Sequence, residues 1–183
     1  TGLTYEADQR HAELLIKDLE LSGGKGVTTP GSKDDVSKAM AENESRQDEQ
    51  LSQQMTTKYR GLSARVKFLA QDRPDLLYSS TEASRKMANP CVGDFMLLKR
   101  IGRYLLKVPR LQQKFEWQAM PDTVRTCVDS DWAGCKSTAK STSGGTMSLG
   151  KHTLKSWSST QSVIALSSGE AELYALVKGA SQT

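Results

Sequence analysis

The chain has 183 residues, 37% of them apolar and 25% charged, and a formal net charge of +4 at pH 7. This is an ordinary balance for a soluble globular protein, with room for one good core or two small ones. So mild a charge means that any polyanion-binding surface must come from local clusters of Lys and Arg. Cys91, Cys127 and Cys135 lack paired spacing, and His11 and His152 lie far apart in sequence, which argues against a zinc site. No apolar run approaches the roughly 20 residues that span a bilayer, and no basic-then-apolar leader opens the chain. An intracellular, reduced protein is expected. Thr1 at one end, and a helix still running at Thr183 at the other, read as cuts in something longer.

In chain order, Gly2-Leu3-Thr4-Tyr5-Glu6 reads as the tail of a strand. Gln9 to Leu21 then carries Ala12, Leu15, Ile16 and Leu19 at helical spacing, and Gly23-Gly24 stops it. Thr29-Pro30-Gly31 is turn chemistry. Residues 33 to 54 set Asp34, Asp35, Glu42, Glu44, Asp48 and Glu49 against Lys33, Lys38 and Arg46, with few large apolar groups, which reads as a solvated linker. Leu62, Val66, Leu69 and Ala70 form one helical stripe, and Arg73-Pro74-Asp75 interrupts it. A second helix is expected from about Leu76 to Ala88, ended by Asn89-Pro90, and a third from about Gly93 to Leu106 with Leu97, Leu98, Ile101, Tyr104 and Leu105 as its core face.

Between Phe95 and Phe115 lie Lys99, Arg100, Arg103, Lys107, Arg110 and Lys114, six cations with no acid among them. Such a face attracts a phosphate backbone, and it equally fits a solvated basic surface. Beyond it, Phe115-Glu116-Trp117 and Val124 to Ser130 read as short strands. Gly144 to Leu149 and Thr153 to Ser158 read as a hairpin about Gly150-Lys151, with another short apolar run at Ser162 to Leu166 and a helix from Ser168. Three or four strands followed by a helix open an α/β sheet domain.

The chemistry concentrates in Val128-Asp129-Ser130-Asp131-Trp132-Ala133-Gly134 and, about 40 residues on, Ser167-Ser168-Gly169-Glu170-Ala171-Glu172. Strand alternation sets Cys127, Asp129 and Asp131 on one face. Unpaired burial of two carboxylates would be costly, so solvent, a basic partner or a divalent cation must surround them. Ser167-x-x-Glu170 fits a capping box, which occupies Glu170 structurally. Leu173, Leu176, Val177 and Ala180 are expected as the buried stripe of this helix, with Glu172 at its border and able to reach a site between helix and sheet. Glu172 is therefore the preferred chemical carboxylate, and spacing alone does not exclude Glu170. Gly145-x-x-x-x-Gly150-Lys151 lacks the Ser or Thr of a phosphate-binding loop and lies in a hairpin, and Ser148 fits no nucleophile elbow. Trp117, Trp132 and Trp157 are expected in core or edge packing.

Taken together, ordered blocks of this chain resemble the Pol polyprotein of copia-type LTR retrotransposons. Tyr59-Arg60 with Leu62, Leu69-Ala70 and Arg73-Pro74-Asp75 looks like the family's segment after the polymerase thumb, and Leu98-Lys99-Arg100-Ile101 with Arg103-Tyr104-Leu105 looks like its connecting helix. Asp129-Ser130-Asp131-Trp132-Ala133-Gly134, Lys140-Ser141-Thr142-Ser143-Gly144-Gly145, Trp157-Ser158-Ser159, and Ala165-Leu166-Ser167-Ser168 with Glu170-Ala171-Glu172 resemble its ribonuclease H domain. Val27-Thr28-Thr29-Pro30-Gly31 looks like the end of the reverse transcriptase region.

The resemblance implies an α/β fold: a partial RNase H-like mixed sheet with a flanking helix over residues 113–183, preceded by a helical connection region at 56–112. An acidic linker at 33–55 and a thumb-like remnant at 1–32 precede these. It makes Asp129 and Glu172 catalytic and metal-binding, with Asp131 as a further candidate ligand, in a centre that uses Mg2+ to cut the RNA strand of RNA/DNA hybrids. It makes Lys99, Arg100, Arg103, Lys107, Arg110 and Lys114 contacts to the hybrid backbone. Expected partners are nucleic acid and the remainder of the Pol polyprotein, with no membrane, in a cytoplasmic particle or the nucleus. The family's next catalytic aspartate falls beyond Thr183, and neither a Tyr-x-Asp-Asp polymerase signature nor an integrase zinc set occurs, so the chain alone is expected to be weak or inactive. Two rivals stand beside this reading. One is a non-catalytic nucleic-acid-binding remnant; the other is a decayed relic whose truncated sheet exposes Leu173 and Leu176.

Overall fold

Asp8 starts the first helix: its carboxylate accepts the Arg10 N–H and caps α1 (Gln9–Asp18), which buries Ala12 and Leu15. The computed structural model describes residues 2–31, 48–135 and 138–183. Two compact units emerge, Glu6–Gln112 and Thr1–Tyr5 with Gln113–Thr183.

In the first unit, Ser52 caps α2 (Gln53–Leu69) by accepting from the Met55 N–H, and Tyr59, Leu62, Ser63, Val66 and Leu69 turn inward. Pro74 opens a single 3₁₀ turn (Pro74–Leu76), followed by α3 (Leu77–Arg85). The expected helix from Leu76 to Ala88 is thus shorter and irregular at its start. Proline lacks the amide that would extend the preceding turn, and the Ser80, Thr81 and Ser84 hydroxyls bond back to carbonyls three or four residues earlier. Cys91 and Asp94 form a reciprocal cap on α4 (Val92–Lys107). Leu15, Tyr59, Val66, Leu76, Leu98 and Leu105 are fully buried and belong to one core. Residues 6–31 therefore share their core with 48–112, where the sequence suggested separate segments. Most of the acidic stretch at 33–55 lies outside the described residues; from Gln53 onward it is helix.

In the second unit, β1 (Gly2–Glu6) pairs with β2 (Gln112–Glu116), and β3 (Val124–Ser130), β4 (Thr142–Leu149) and β5 (His152–Thr160) form an antiparallel sheet in the order β3-β4-β5. The register sets Val128 opposite Gly145 and Gly145 opposite Trp157. The turn between β4 and β5 places Gly150 at φ 58°, so the Gly145-to-Lys151 segment is a hairpin, not a strand-to-helix phosphate loop. Residues 162–166 form bends, not a strand.

The closing helix α5 (Ser168–Gln182) packs on β3 and β4. Its buried face is Ala171, Ala175 and Gly179, while Leu173, Leu176 and Val177 are 57%, 57% and 61% exposed. The expected stripe is overturned by close approach: a Cβ at Gly179 would lie 2.6 Å from Val128 Cγ1, so only the small-residue face fits against the strand. Trp117 is likewise 86% exposed instead of packed. Among the described residues the chain is mixed α/β, with five α-helices and two antiparallel sheets.

Candidate carboxylate site and basic helix face

Two elements bring the acidic motifs together. β3 carries Thr126 and Val128 beneath Gly179 of α5, so alternation gives Cys127 and Asp129 the opposite face of the sheet, where Asp129 is exposed. Asp131 donates its N–H to the Thr142 carbonyl across to β4, so the Ser130 N–H, one residue earlier, points to the free edge of the sheet. Glu172 reaches that edge from α5, and its Oε1 accepts the Ser130 N–H at 3.3 Å. The Glu172 carboxylate thus sits at the peptide next to Asp129, at the end of the strand and not on a face shared with it.

Asp131 does not share a strand face with Asp129. β3 ends at Ser130, and Asp131 Oδ1 turns back to accept the Thr142 N–H at 2.6 Å. With Ala133 N–H donating to Ser141 Oγ at 3.0 Å, these bonds close the loop after the strand. The loop geometry occupies one oxygen of Asp131 structurally.

Glu170 performs the capping work expected of it. Its amide donates to Ser167 Oγ at 3.1 Å, but its carboxylate takes the Leu166 N–H at 2.7 Å instead of that of Ser167. The Tyr174 hydroxyl donates to the same carboxylate, and this bond raises the phenol's pKa. Glu170 is thus committed, whereas Glu172 keeps one oxygen outside these bonds.

Carboxylate oxygens are the hard donors that Mg2+ prefers. Asp129 and Glu172 are donors of that type, brought to neighbouring positions by the Ser130–Glu172 bond. Among the described residues, however, no group of three or more His, Cys, Asp or Glu gathers to hold a metal.

The basic residues separate into distinct environments. Lys99, Arg103 and Lys107 repeat at intervals of four along α4, with Arg100 beside them, opposite the buried Leu98, Ile101 and Leu105. Lys99 lies over the Phe95 ring at 5.7 Å, and Arg100 Nη2 donates to Thr29 Oγ1 at 2.8 Å. Arg110 instead grips Glu6 with a two-pronged contact at 2.6 and 2.7 Å. That contact, assisted by Gln112 and Gln9, holds the Glu6 carboxyl down at about 2, against an ordinary 4.5. Lys114 lies in β2, within the other unit. The six-cation cluster read from sequence therefore resolves into a four-cation helix face, a committed Arg110 and a separate Lys114. Gly24 and Gly26, which flank exposed Lys25, lie against Leu106, Lys107 and the Arg103 carbonyl of α4, a proximity set by tertiary contacts and not by spacing in the sequence.

Comparison with known proteins supports the family resemblance. No family model and no solved structure matches. The chain is 34% identical over 125 residues to an uncharacterized mitochondrial protein of Arabidopsis thaliana, covering 68% of this chain and 51% of that one. It is 35% identical over 127 residues to the retrovirus-related Pol polyproteins from transposons RE1 and RE2 of the same plant, covering 69% of this chain and 8% and 9% of theirs. The chain thus spans about half of the first relative and under a tenth of the other two. With its ordered motifs and these relatives, the chain belongs to the Pol polyproteins of copia-type retrotransposons.

Proposed function

We propose that this chain contributes Asp129 and Glu172 to a ribonuclease H centre that, in the intact Pol polyprotein, cleaves the RNA strand of RNA/DNA hybrids. The observation that supports the reading is the Glu172 carboxylate lodged on the Ser130 N–H, beside Asp129 at the open edge of β3. A further carboxylate from chain paired along that edge would complete the set. Asp129 and Glu172 are the residues that would hold Mg2+; when bound, the ion lowers the pKa of water and stabilises a leaving oxygen. The protein's own part is positional. The Ser130 bond orients Glu172, the capping bonds of Ser167 and Glu170 fix the start of α5, and the Asp131–Thr142 bond holds the turn that ends β3. The α4 face supplies sequence-independent attraction for the hybrid backbone.

The test is hydrolysis of a labelled RNA/DNA hybrid with Mg2+ by this chain extended in its reading frame. Asp129→Asn or Glu172→Gln is expected to lower the rate by about 100-fold or more, the scale of several kcal/mol of metal-dependent stabilisation. An extended protein that cleaves equally well with both substitutions sinks the proposal. The second reading, nucleic-acid binding without metal chemistry, is favoured by the α4 face. Its signature is affinity that falls steeply with salt, ignores Mg2+ and accompanies no cleavage.

A further inference from the structure

The loop after α1 runs antiparallel to α4 and lies directly on it. Gly24 comes against Leu106 and Gly26 against Lys107, Val27 N–H donates to the Arg103 carbonyl at 3.2 Å, and Thr29 Oγ1 receives Arg100. At Gly26 the approach is so close that a Cβ would sit 2.8 Å from Lys107 Cβ and 3.2 Å from its backbone nitrogen. The loop's backbone therefore lies against the helix at Gly26 without a side chain between them, and Lys25, the residue before it, is exposed, with its backbone held between the two glycines that touch Leu106, Lys107 and the Arg103 carbonyl.

Gathering like charges is unfavourable unless solvent or an anion screens them. No ion pair to Lys25, Arg103 or Lys107 occurs among the described residues. Lys99 to Lys107 covers roughly 12 Å of helix at 1.5 Å per residue. One nucleic-acid strand presents a phosphate about every 3.4 Å along its axis, so the strip spans about three phosphates. A linear array of this length suits a repeating polyanion better than a single phosphate, which calls for convergent donors in a concave site.

We propose that Lys25 and its glycine-flanked loop extend the α4 face into a two-element strip, Lys25 with Lys99, Arg103 and Lys107, that grips one strand's phosphodiester backbone. The loop widens the strip beyond the line of the helix, so that backbone contacts set the strand's direction across α4 without reading its bases. The proposal rests on the nucleic-acid reading of the α4 face above, and it assigns to Lys25 a contact equal in weight to those of the helix.

The experiment measures affinity of the full chain for a labelled RNA/DNA hybrid by fluorescence anisotropy across a series of salt concentrations. Lys25→Ala is expected to weaken binding on the order of five- to tenfold near 0.1 M salt and to reduce the slope of log K against log[salt] by about 0.9, the value of one lost phosphate contact. Lys25→Arg should restore the slope, and Lys151→Ala, in the β4–β5 turn, should leave it unchanged. An unchanged slope in Lys25→Ala, with a flattened one in the Arg103→Ala/Lys107→Ala pair, overturns the role of Lys25 while the helix face stands. No change in any of these variants overturns both. Equal competition by polyglutamate of matched charge also overturns the proposal, because it makes the strip a general acceptor of acidic chains.

Discussion

Arg73 is only 1% exposed, yet its charge is answered on every side. It pairs with Asp75 at 2.8 Å and donates to the Val108 and Pro109 carbonyls, while the Tyr104 hydroxyl donates to the same Asp75. The motif Arg73-Pro74-Asp75 reads in sequence as a helix interruption, and in the fold it also locks the end of α4. Removing one partner of a buried pair leaves the other uncompensated, so Arg73→Ala is expected to cost about 3–5 kcal/mol in urea denaturation. Arg73→Lys should recover only part of this, because a single ammonium cannot match the planar fork.

Glu6 makes a second residue-scale case. Arg110 depresses its pKa to about 2, so the stabilisation it provides is fully present above the ordinary value of 4.5 and is lost as pH falls toward 2. Arg110→Ala should return the Glu6 carboxyl toward 4.5, read by NMR titration of its side-chain carbon; an unchanged midpoint would disprove the assignment. The Glu6–Arg110 contact could not be read from spacing. Glu6 and Arg110 lie about a hundred positions apart, and nothing local tells a cation answered by a carboxylate from one left open.

At the scale of elements, α5 shows how packing overrides hydrophobic pattern. Its periodicity offers Leu173, Leu176 and Val177 as the stripe, but the short approach to β3 admits only Ala171, Ala175 and Gly179. Gly179→Leu is expected to cost about 1–3 kcal/mol through overpacking against Val128, measured by thermal melting. By contrast, Leu173→Lys with Leu176→Lys should change stability by under about 1 kcal/mol and lower binding of a hydrophobic dye, because these side chains already face water. The start of the same helix was legible in advance: Ser167 and Glu170 cap it through local bonds that need no partner from elsewhere. Likewise Leu98, Ile101, Tyr104 and Leu105 of α4 are buried where their apolar spacing put them, with Leu97 only half-buried, while α3 is cut short by the chemistry of Pro74 and its serines.

Across the whole molecule, the large apolar core belongs to residues 7–108, whereas the sheet unit buries mainly Met147, three alanines and Ser141, Thr142, Ser143 and Gln161. All three tryptophans, Trp117, Trp132 and Trp157, lie in the sheet unit, so their fluorescence reports on it, while helical circular dichroism is dominated by the other. Leu98→Ala should lower the dichroism transition by about 2–5 kcal/mol and leave the fluorescence transition in place. Coincident shifts of both would show one cooperative unit.

What the sequence determined alone was whatever depends on neighbours along the chain: helix starts, the β4–β5 turn, the strand ending near Asp129, and the order of motifs that identifies the family. What needed the tertiary structure was every relation set by distance through space. That includes the joining of 6–31 to 48–112 in one core, the withdrawal of Arg110 and Asp131 into structural bonds, the docking of Gly24 and Gly26 on α4, and the lodging of Glu172 at the edge of β3. Local signals rest on backbone bonds and side-chain period within a few residues. Long-range pairing depends on how closely two surfaces approach, and at Gly179 and Gly26 that distance is decided by a missing methyl group.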